Sequence, residues 1–358
     1  MSRPTPAALG YAMPAEWHPH AATWLSWPKD PLTWPDRVPQ VEMIFLRMIE
    51  VLAEHETVHV LVNDEATRDQ VRARMTWPQA RSVQLHVIPT VDSWIRDYGP
   101  NFLLAKPERR QPGGPLAHTA LAYNAWGFNA WGGKYETLMR DSSVPRALAP
   151  LLRVPVFEPG LVLEGGSIDV NGEGVVMTTE QCLLNPNRNP GLSRADLERA
   201  LRDHLGVSEV LWLGEGVAGD DTDGHIDDIA RFVSPRTIVC AVEEDPADSN
   251  YAPLQDNLRR LELARDPAGR RYQVVKLPMP GRILAEGEPL PASYANFYIA
   301  NDVVLLPVYE HPNDAQAIDT LTRLFPDRRV VPVACENLVW GMGAIHCVTQ
   351  QQPKVVVS

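Results

Sequence analysis

VEMIFLRMIEVLAEHETVHVLVNDEATRDQVRARMTWPQARSVQLHVIPTVDSWIRD, residues 41–97, holds two helix-then-strand units in succession. Over residues 41–55 the apolar side chains Val41, Ile44, Phe45, Met48, Ile49 and Leu52 recur at helical spacing. The β-prone Val58-His59-Val60-Leu61-Val62 follows, then a second helix over 66–75 and a second strand over 83–88. That strand runs into Asp92-Ser93-Trp94-Ile95-Arg96-Asp97, a polar cluster at a strand end, where an α/β protein places its chemistry.

Upstream, Met13-Pro14-Ala15-Glu16-Trp17-His18-Pro19-His20 is too rich in proline for a helix, and His18 and His20 lack the carboxylate partners of a metal site. Downstream the alternation continues with more strand. Residues 119–123 are β-prone, 125–135 form a loop of glycine and tryptophan, and 161–170 read as a strand. Asn171-Gly172 predicts a hairpin whose two central positions take positive φ, with a partner strand over 175–184. Ser193 caps a helix over 194–205, with Asp196 at its third position and Gly206 as its stop. Strands follow over 210–213, 229–233, 237–242, 272–277, 296–299, 303–308 and 330–333, with helices over 253–265 and from Asn313 to near Pro326. One helix with two or three strands thus recurs about five times, with hardly any residue identity between copies. No composition break divides the chain, so one α/β domain over residues 1–358 is expected.

The 358 residues, 44% hydrophobic and 22% charged, have the composition of a globular protein. A net charge of -12 argues against nucleic acid and favours a cationic ligand. Cys182, Cys240, Cys335 and Cys347 show no paired spacing, which fits neither a zinc ribbon nor a disulfide framework and suggests a reducing compartment. No apolar run is long enough to cross a bilayer, so a cytoplasmic location and no membrane partner are expected.

Near the end stands Trp340-Gly341-Met342-Gly343-Ala344-Ile345-His346-Cys347-Val348-Thr349-Gln350-Gln351-Gln352. A cysteine behind a glycine-rich turn is a nucleophile presented at an edge, provided other stretches supply its partners. Three do: the Asp92–Asp97 cluster, Leu163-Glu164-Gly165-Gly166, and Asp223-Gly224-His225-Ile226-Asp227-Asp228. His225 and Asp227 alternate, which on an extended strand turns both to one side. Taken singly, each has a plainer reading: a surface acidic loop for His225 and Asp227, a salt-bridged turn for Asp92 to Asp97, a solvated carboxylate for Glu164. Taken together, carboxylates, one imidazole, one thiol and a tryptophan without a lysine or arginine cluster describe a site for a planar cation such as a guanidinium.

The chain resembles the agmatine deiminase and peptidyl-arginine deiminase family of guanidino-group-modifying enzymes. The likeness runs through MPAEWHPH, TWLSWP, DSWIRDYGP, FNAWGGKY, LEGGSIDVNG, DDTDGHIDDIARF, NFYIAND, PVYEHPNDAQA and IHCVTQQ. It implies a pentein fold: a five-bladed α/β propeller of strand-helix-strand modules with pseudo-fivefold symmetry. It implies Cys347 as nucleophile, His225 as general acid/base, Asp97 and Asp227 as the guanidinium clamp, and Glu164 as support for the histidine. Trp94 matches an aromatic lying along the substrate's aliphatic chain, and Asp221 is the candidate for the far amine of agmatine. Neither metal nor organic cofactor is called for; the partner is a small cationic guanidine, and a homodimer is compatible with the likeness. The implied reaction is hydrolysis of agmatine to N-carbamoylputrescine and ammonia, in putrescine and polyamine biosynthesis. Two stretches depart from the family: Met342 interrupts a run of glycines, with Ala344 at a position often polar, and Leu32-Thr33-Trp34-Pro35 stands where many agmatine-specific members carry Asn-Trp-Arg. The rival readings are a peptidyl-arginine or other guanidine deiminase, a divalent-metal hydrolase built on His225, Asp227 and nearby aspartates, and a silent ligand-binding relative.

Overall fold

The structure is a computed structural model that describes residues 4–105 and 120–356. Five sheets share one plan: a strand pairs antiparallel with a second, which pairs parallel with a third across a helical crossover. The triplets are Gln350–Pro353, His20–Ser26 and Thr57–Val62; Asn101–Ala105, Leu121–Asn124 and Val156–Phe157; Asp169–Val170, Val175–Thr179 and Glu209–Leu213; Ala230–Ser234, Thr237–Val242 and Gln273–Pro278; and Tyr298–Ile299, Val303–Val308 and Arg329–Ala334. Parallel pairing needs a long connection, and helices Val38–Leu52, Val144–Leu152, Arg194–Leu205, Tyr251–Leu263 and Asn313–Leu324 supply it. Among the described residues none of the sheets closes on itself.

The first unit shows why. Helix Val38–Leu52 carries a proline in its first turn, where the missing N–H is not needed. It buries Val41, Phe45, Met48, Ile49 and Leu52 in the same core as Val58, Val60 and Val62 of the strand after it. The third side of that sheet comes from the far end of the chain, with Gln350 opposite Trp24. Chain closure therefore sets Cys347 three residues ahead of a strand that completes the first sheet.

Several local expectations are corrected. Residues 161–170 are mostly turn: Glu164-Gly165-Gly166-Ser167 winds into a 3-10 turn, with Ser167 Oγ donating to the Glu164 carbonyl at 2.7 Å, and only Asp169–Val170 is strand. The Asn171-Gly172 turn runs on to Gly174; Gly172 and Gly174 take positive φ while Asn171 uses its side chain to accept from the Glu173 and Val175 amides. The strand over 175–184 ends at Thr179, which caps helix Glu180–Leu183. Helix Val144–Leu152 was not legible because Pro145 and Pro150 read as breakers; one sits in the first turn and the other near the end. Of the strand expected over 119–123, Thr119 lies outside the described residues. No helix among the described residues is long and apolar enough to cross a membrane.

Candidate active site

Each of the five units presents a polar residue from the turn just ahead of its first strand. Asp97 lies in the turn Ile95–Tyr98 before Asn101–Ala105, and Glu164 precedes the turn Gly165–Ser167 before Asp169–Val170. His225, Asp227 and Asp228 occupy the turn around Ile226–Asp228 before Ala230–Ser234. Asn296 precedes Tyr298–Ile299, and Cys347 precedes Gln350–Pro353. His225 and Asp227 thus do not alternate on a strand, as expected from their spacing; they flank Ile226 in a 3-10 turn entered through Asp223 and Gly224, both at positive φ.

The turns nonetheless bring these side chains together. A Cβ built on Gly166 would stand 2.6 Å from His225 Nδ1, 2.8 Å from Asp97 Oδ1 and 3.2 Å from Asp227 Oδ2, so three groups close around a position only glycine leaves open. His225 Nδ1 lies 3.7 Å from Asp97 Oδ1 and its Nε2 lies 3.9 Å from Glu164 Oε2. Asp97 accepts from the Gly166 N–H at 3.0 Å and from Trp131 Nε1 at 2.9 Å. Asp227 Oδ2 accepts from His346 Nδ1 at 2.6 Å and lies 3.7 Å from Cys347 Sγ, while its Oδ1 takes no donor among the described residues. Glu164 is held by Arg188 at 2.7 Å. All are buried, with Cys347 7% exposed.

Burial in this acid-rich setting moves the proton affinities apart. Burial opposes a charge on His225, but Asp97, Cys182 and Glu164 outweigh it and hold the imidazole well above its ordinary range. Burial pushes Asp97 up to about 6, with His225 pulling down and Asp227 and Glu164 pushing up. Asp227 goes the other way: burial is overcome by the His346 hydrogen bond and charge, and it stays below its usual value. Burial and the carboxylates of Asp227, Asp228 and Asp97 push the Cys347 thiol well above its ordinary value, so a thiolate here needs added positive charge or donors.

Asp97 and Cys347 open onto a cavity of about 430 Å³. Among the described residues its lining includes six carboxylates, Asp30, Asp92, Asp97, Asp221, Glu286 and Glu288, and neither lysine nor arginine. Trp94 lines it too, its indole N–H tied to Asp92 Oδ2 at 3.0 Å and its ring so close to Gly343 that a Cβ there would meet it at 2.6 Å. Asp221 lies on the same lining, accepting from the Tyr135 hydroxyl at 2.5 Å. Met342 takes φ 71, the left-handed region that favours glycine, and its side chain joins the wall. Leu32, Thr33 and Pro35 of the divergent N-terminal stretch line it as well.

Asp92 and Arg96 do not form the salt-bridged turn that their proximity suggested. Asp92 bonds Thr33 and Trp94, whereas Arg96 reaches the His346 carbonyl at 3.2 Å and Gln351 at 2.6 Å. His18 and His20 stand apart from the site, bonded to the Lys354 carbonyl and to Glu56 with the Glu16 carbonyl respectively. The metal-hydrolase reading needs His225 and Asp227 to converge on one cation with a third ligand. Among the described residues they fall in separate clusters, His225 with Glu164 and Cys182, Asp227 with Asp228 and Cys347. Sequence reasoning gave no role to Asn296, His346, Trp131, Arg188 and Glu16. For Asn296 a signal existed, since it holds in the fifth unit the place that Asp97, Glu164, Asp227 and Cys347 hold in the others.

A profile of the Porphyromonas-type peptidyl-arginine deiminase family matches residues 12–353. An agmatine deiminase of Ectopseudomonas mendocina is 39% identical, the alignment covering 98% of this chain and 97% of that one. One of Pseudomonas aeruginosa is also 39% identical, over 99% of both. The solved agmatine deiminase of Enterococcus faecalis superposes with a TM-score of 0.89 at 33% identity, covering 99% of each chain.

Proposed function

The chain belongs to the Porphyromonas-type peptidyl-arginine deiminase family, and from that premise we propose that it hydrolyses agmatine to N-carbamoylputrescine and ammonia. It is a hydrolase of C–N bonds in a linear guanidine. The observation that carries the reading is a thiol on the lining of a cavity that, among the described residues, holds six carboxylates and no basic residue. A guanidinium presents N–H donors in a fixed fork, and Asp97 with the free Oδ1 of Asp227 gives it two acceptors beside the sulfur. Trp94 lies along the aliphatic chain, and Asp221 with the outer carboxylates takes the far ammonium.

The clamp sets the guanidinium carbon against Cys347, which removes much of the entropic barrier. The Cys347 thiolate attacks and forms a C–S bond; protonated His225 gives its proton to the departing nitrogen, which leaves as ammonia. The remaining carbon is a thiouronium. Neutral His225 then takes a proton from water, whose oxygen attacks that carbon; the C–S bond breaks and its electron pair returns to sulfur. Glu164, fixed by Arg188, faces His225 and favours the imidazolium that the first step needs. The five units are read as blades of a pentein propeller forming one domain, with the site where their leading turns meet. The product is one hydrolysis from putrescine, which places the reaction in polyamine biosynthesis.

The test is to incubate the protein with agmatine, with arginine and with an arginine peptide, and to identify the ureido product by mass. Agmatine should be converted, and Cys347→Ala should abolish ammonia release while still binding agmatine in calorimetry. Conversion of the arginine peptide in preference to agmatine would reassign the substrate; ammonia release by the Cys347→Ala protein would remove the nucleophile.

A further inference from the structure

Asn296 reaches the reacting sulfur with its side-chain amide, a donor given no role so far. Its Nδ2 lies 3.1 Å from Cys347 Sγ and 3.0 Å from Asp228 Oδ1, so the two hydrogens of one amide have two acceptors. Its Oδ1 accepts from the His346 N–H at 2.9 Å and from the Cys347 N–H at 3.4 Å. Those backbone donors fix which end of the amide faces the sulfur. In the neutral thiol the S–H can turn to Asn296 Oδ1 at 3.5 Å or Asp227 Oδ2 at 3.7 Å. In the thiolate only donors help, and the carboxylates of Asp227 and Asp228 each bring an oxygen within 4.8 Å of the sulfur.

We propose that Asn296 is a catalytic residue whose amide N–H stabilises the Cys347 thiolate. This rests on the reading of Cys347 as nucleophile. The amide acts twice: it holds the thiolate before the C–S bond forms, and it receives the sulfur's electron pair by hydrogen bonding when water expels the thiolate. Because Asp228 takes the second hydrogen, the amide cannot rotate away between the two steps without breaking that bond. The fifth unit thereby contributes a functional side chain from its leading turn, as the other four do.

Asn296→Asp retains an acceptor oxygen for the His346 and Cys347 amides and replaces the donor by an anionic oxygen, while Asn296→Ala removes the donor without adding charge, so slowing in both separates lost donation from added repulsion. Alkylation of Cys347 by iodoacetamide near pH 8, followed by peptide mass, reads the thiolate without any substrate. A thiol shifted up by one pH unit reacts about tenfold more slowly, and that is the slowing expected for Asn296→Asp and Asn296→Ala. Loss of one donor to a charge that develops during reaction should lower kcat about 100-fold, with KM for agmatine within about threefold. If Asn296→Ala melts early, Asn296→Asp decides, because it keeps the backbone contacts. Wild-type alkylation and wild-type kcat in Asn296→Asp would overturn the assignment. Failure of the underlying reading is seen elsewhere, as ammonia release retained by Cys347→Ser, so the two outcomes are told apart.

Discussion

Replacing Gly166 by alanine adds one methyl group at the most crowded point of the site. The new carbon would lie 2.6 Å from His225 Nδ1, 2.8 Å from Asp97 Oδ1 and 3.2 Å from Asp227 Oδ2, whereas ordinary contact begins at 3.4 Å. The contact with His225 alone must open by 0.8 Å, the difference between 3.4 and 2.6 Å, and that with Asp97 by 0.6 Å. Gly166 is not in the left-handed region, so alanine strains no backbone angle and the whole effect falls on the three side chains. A misplacement near 1 Å of groups that must meet the substrate together costs about 100-fold in rate, or about 2.7 kcal/mol of barrier. Overpacking should cost about 1–3 kcal/mol of stability, which thermal melting measures separately. Steady-state ammonia release from agmatine is the assay, with the Gly166→Ala protein first shown to be folded by its melting transition. A folded Gly166→Ala protein with kcat/KM within about threefold of the parent would refute the idea that His225, Asp97 and Asp227 act from their present positions.

The acid side of the pH profile follows from Asp97. Burial raises it to about 6, and it must be ionised to hold a guanidinium, so kcat/KM should fall about tenfold or more per pH unit below about 6; a flat profile from pH 5 to 8 contradicts the clamp. His346 offers Nδ1 to Asp227 at 2.6 Å and Nε2 to Glu16 at 2.8 Å, and the amide nitrogens of Asn and Gln reach about where those two ring nitrogens stand. His346→Gln keeps the Glu16 bond, frees Asp227 and should raise KM for agmatine about tenfold, whereas His346→Asn should raise it less; equal KM values in the two variants count against an orienting role.

Local rules were legible where the partners are local. Ser193 and Asp196 form both bonds of a capping box, and Gly206 ends that helix at φ 68, as their spacing indicated. The apolar periodicity of residues 41–55 likewise gave the helix, displaced by three residues toward its proline. The Glu164-Gly165-Gly166 turn was hidden because its hydrophobic lead reads as strand, and because its close partner is distant in sequence: the Arg96 carbonyl, which would meet a Cβ on Gly165 at 2.1 Å. His346 was hidden because its partners, Glu16 and Asp227, lie 330 and 119 positions away. Arg231 could have been noticed: a charge between Ala230 and Phe232 in a strand with buried neighbours requires buried acids, and it has Asp169 at 2.5 Å and Glu16 at 2.8 Å.

The candidate stretches together, rich in carboxylates and without a basic cluster, suggested a site built from acids, and the fold explains how so many buried acids are tolerated. Arg188 backs Glu164, Arg231 backs Glu16 and Asp169, and Arg96 stands 3.5 Å from Glu16, all three arginines buried and none on the cavity lining. Burying unpaired carboxylates would cost several kcal/mol each, so the cations are needed, but in front of the thiol they would compete with a guanidinium for the same oxygens. Placing them behind leaves Asp97 on the cavity lining without a cation beside it there, and leaves Asp227 Oδ1 without a donor among the described residues, as the proposed clamp requires. Arg96 does one thing more: its backbone N–H donates to the Cys347 carbonyl at 3.3 Å, its Nε to the His346 carbonyl and its Nη1 to Gln351. The residue beside Asp97 is thus bonded to the turn that carries the sulfur. The distance between Asp97 and Cys347, the proposed clamp and nucleophile, is therefore set by the contacts that seat strand Gln350–Pro353 against the first sheet.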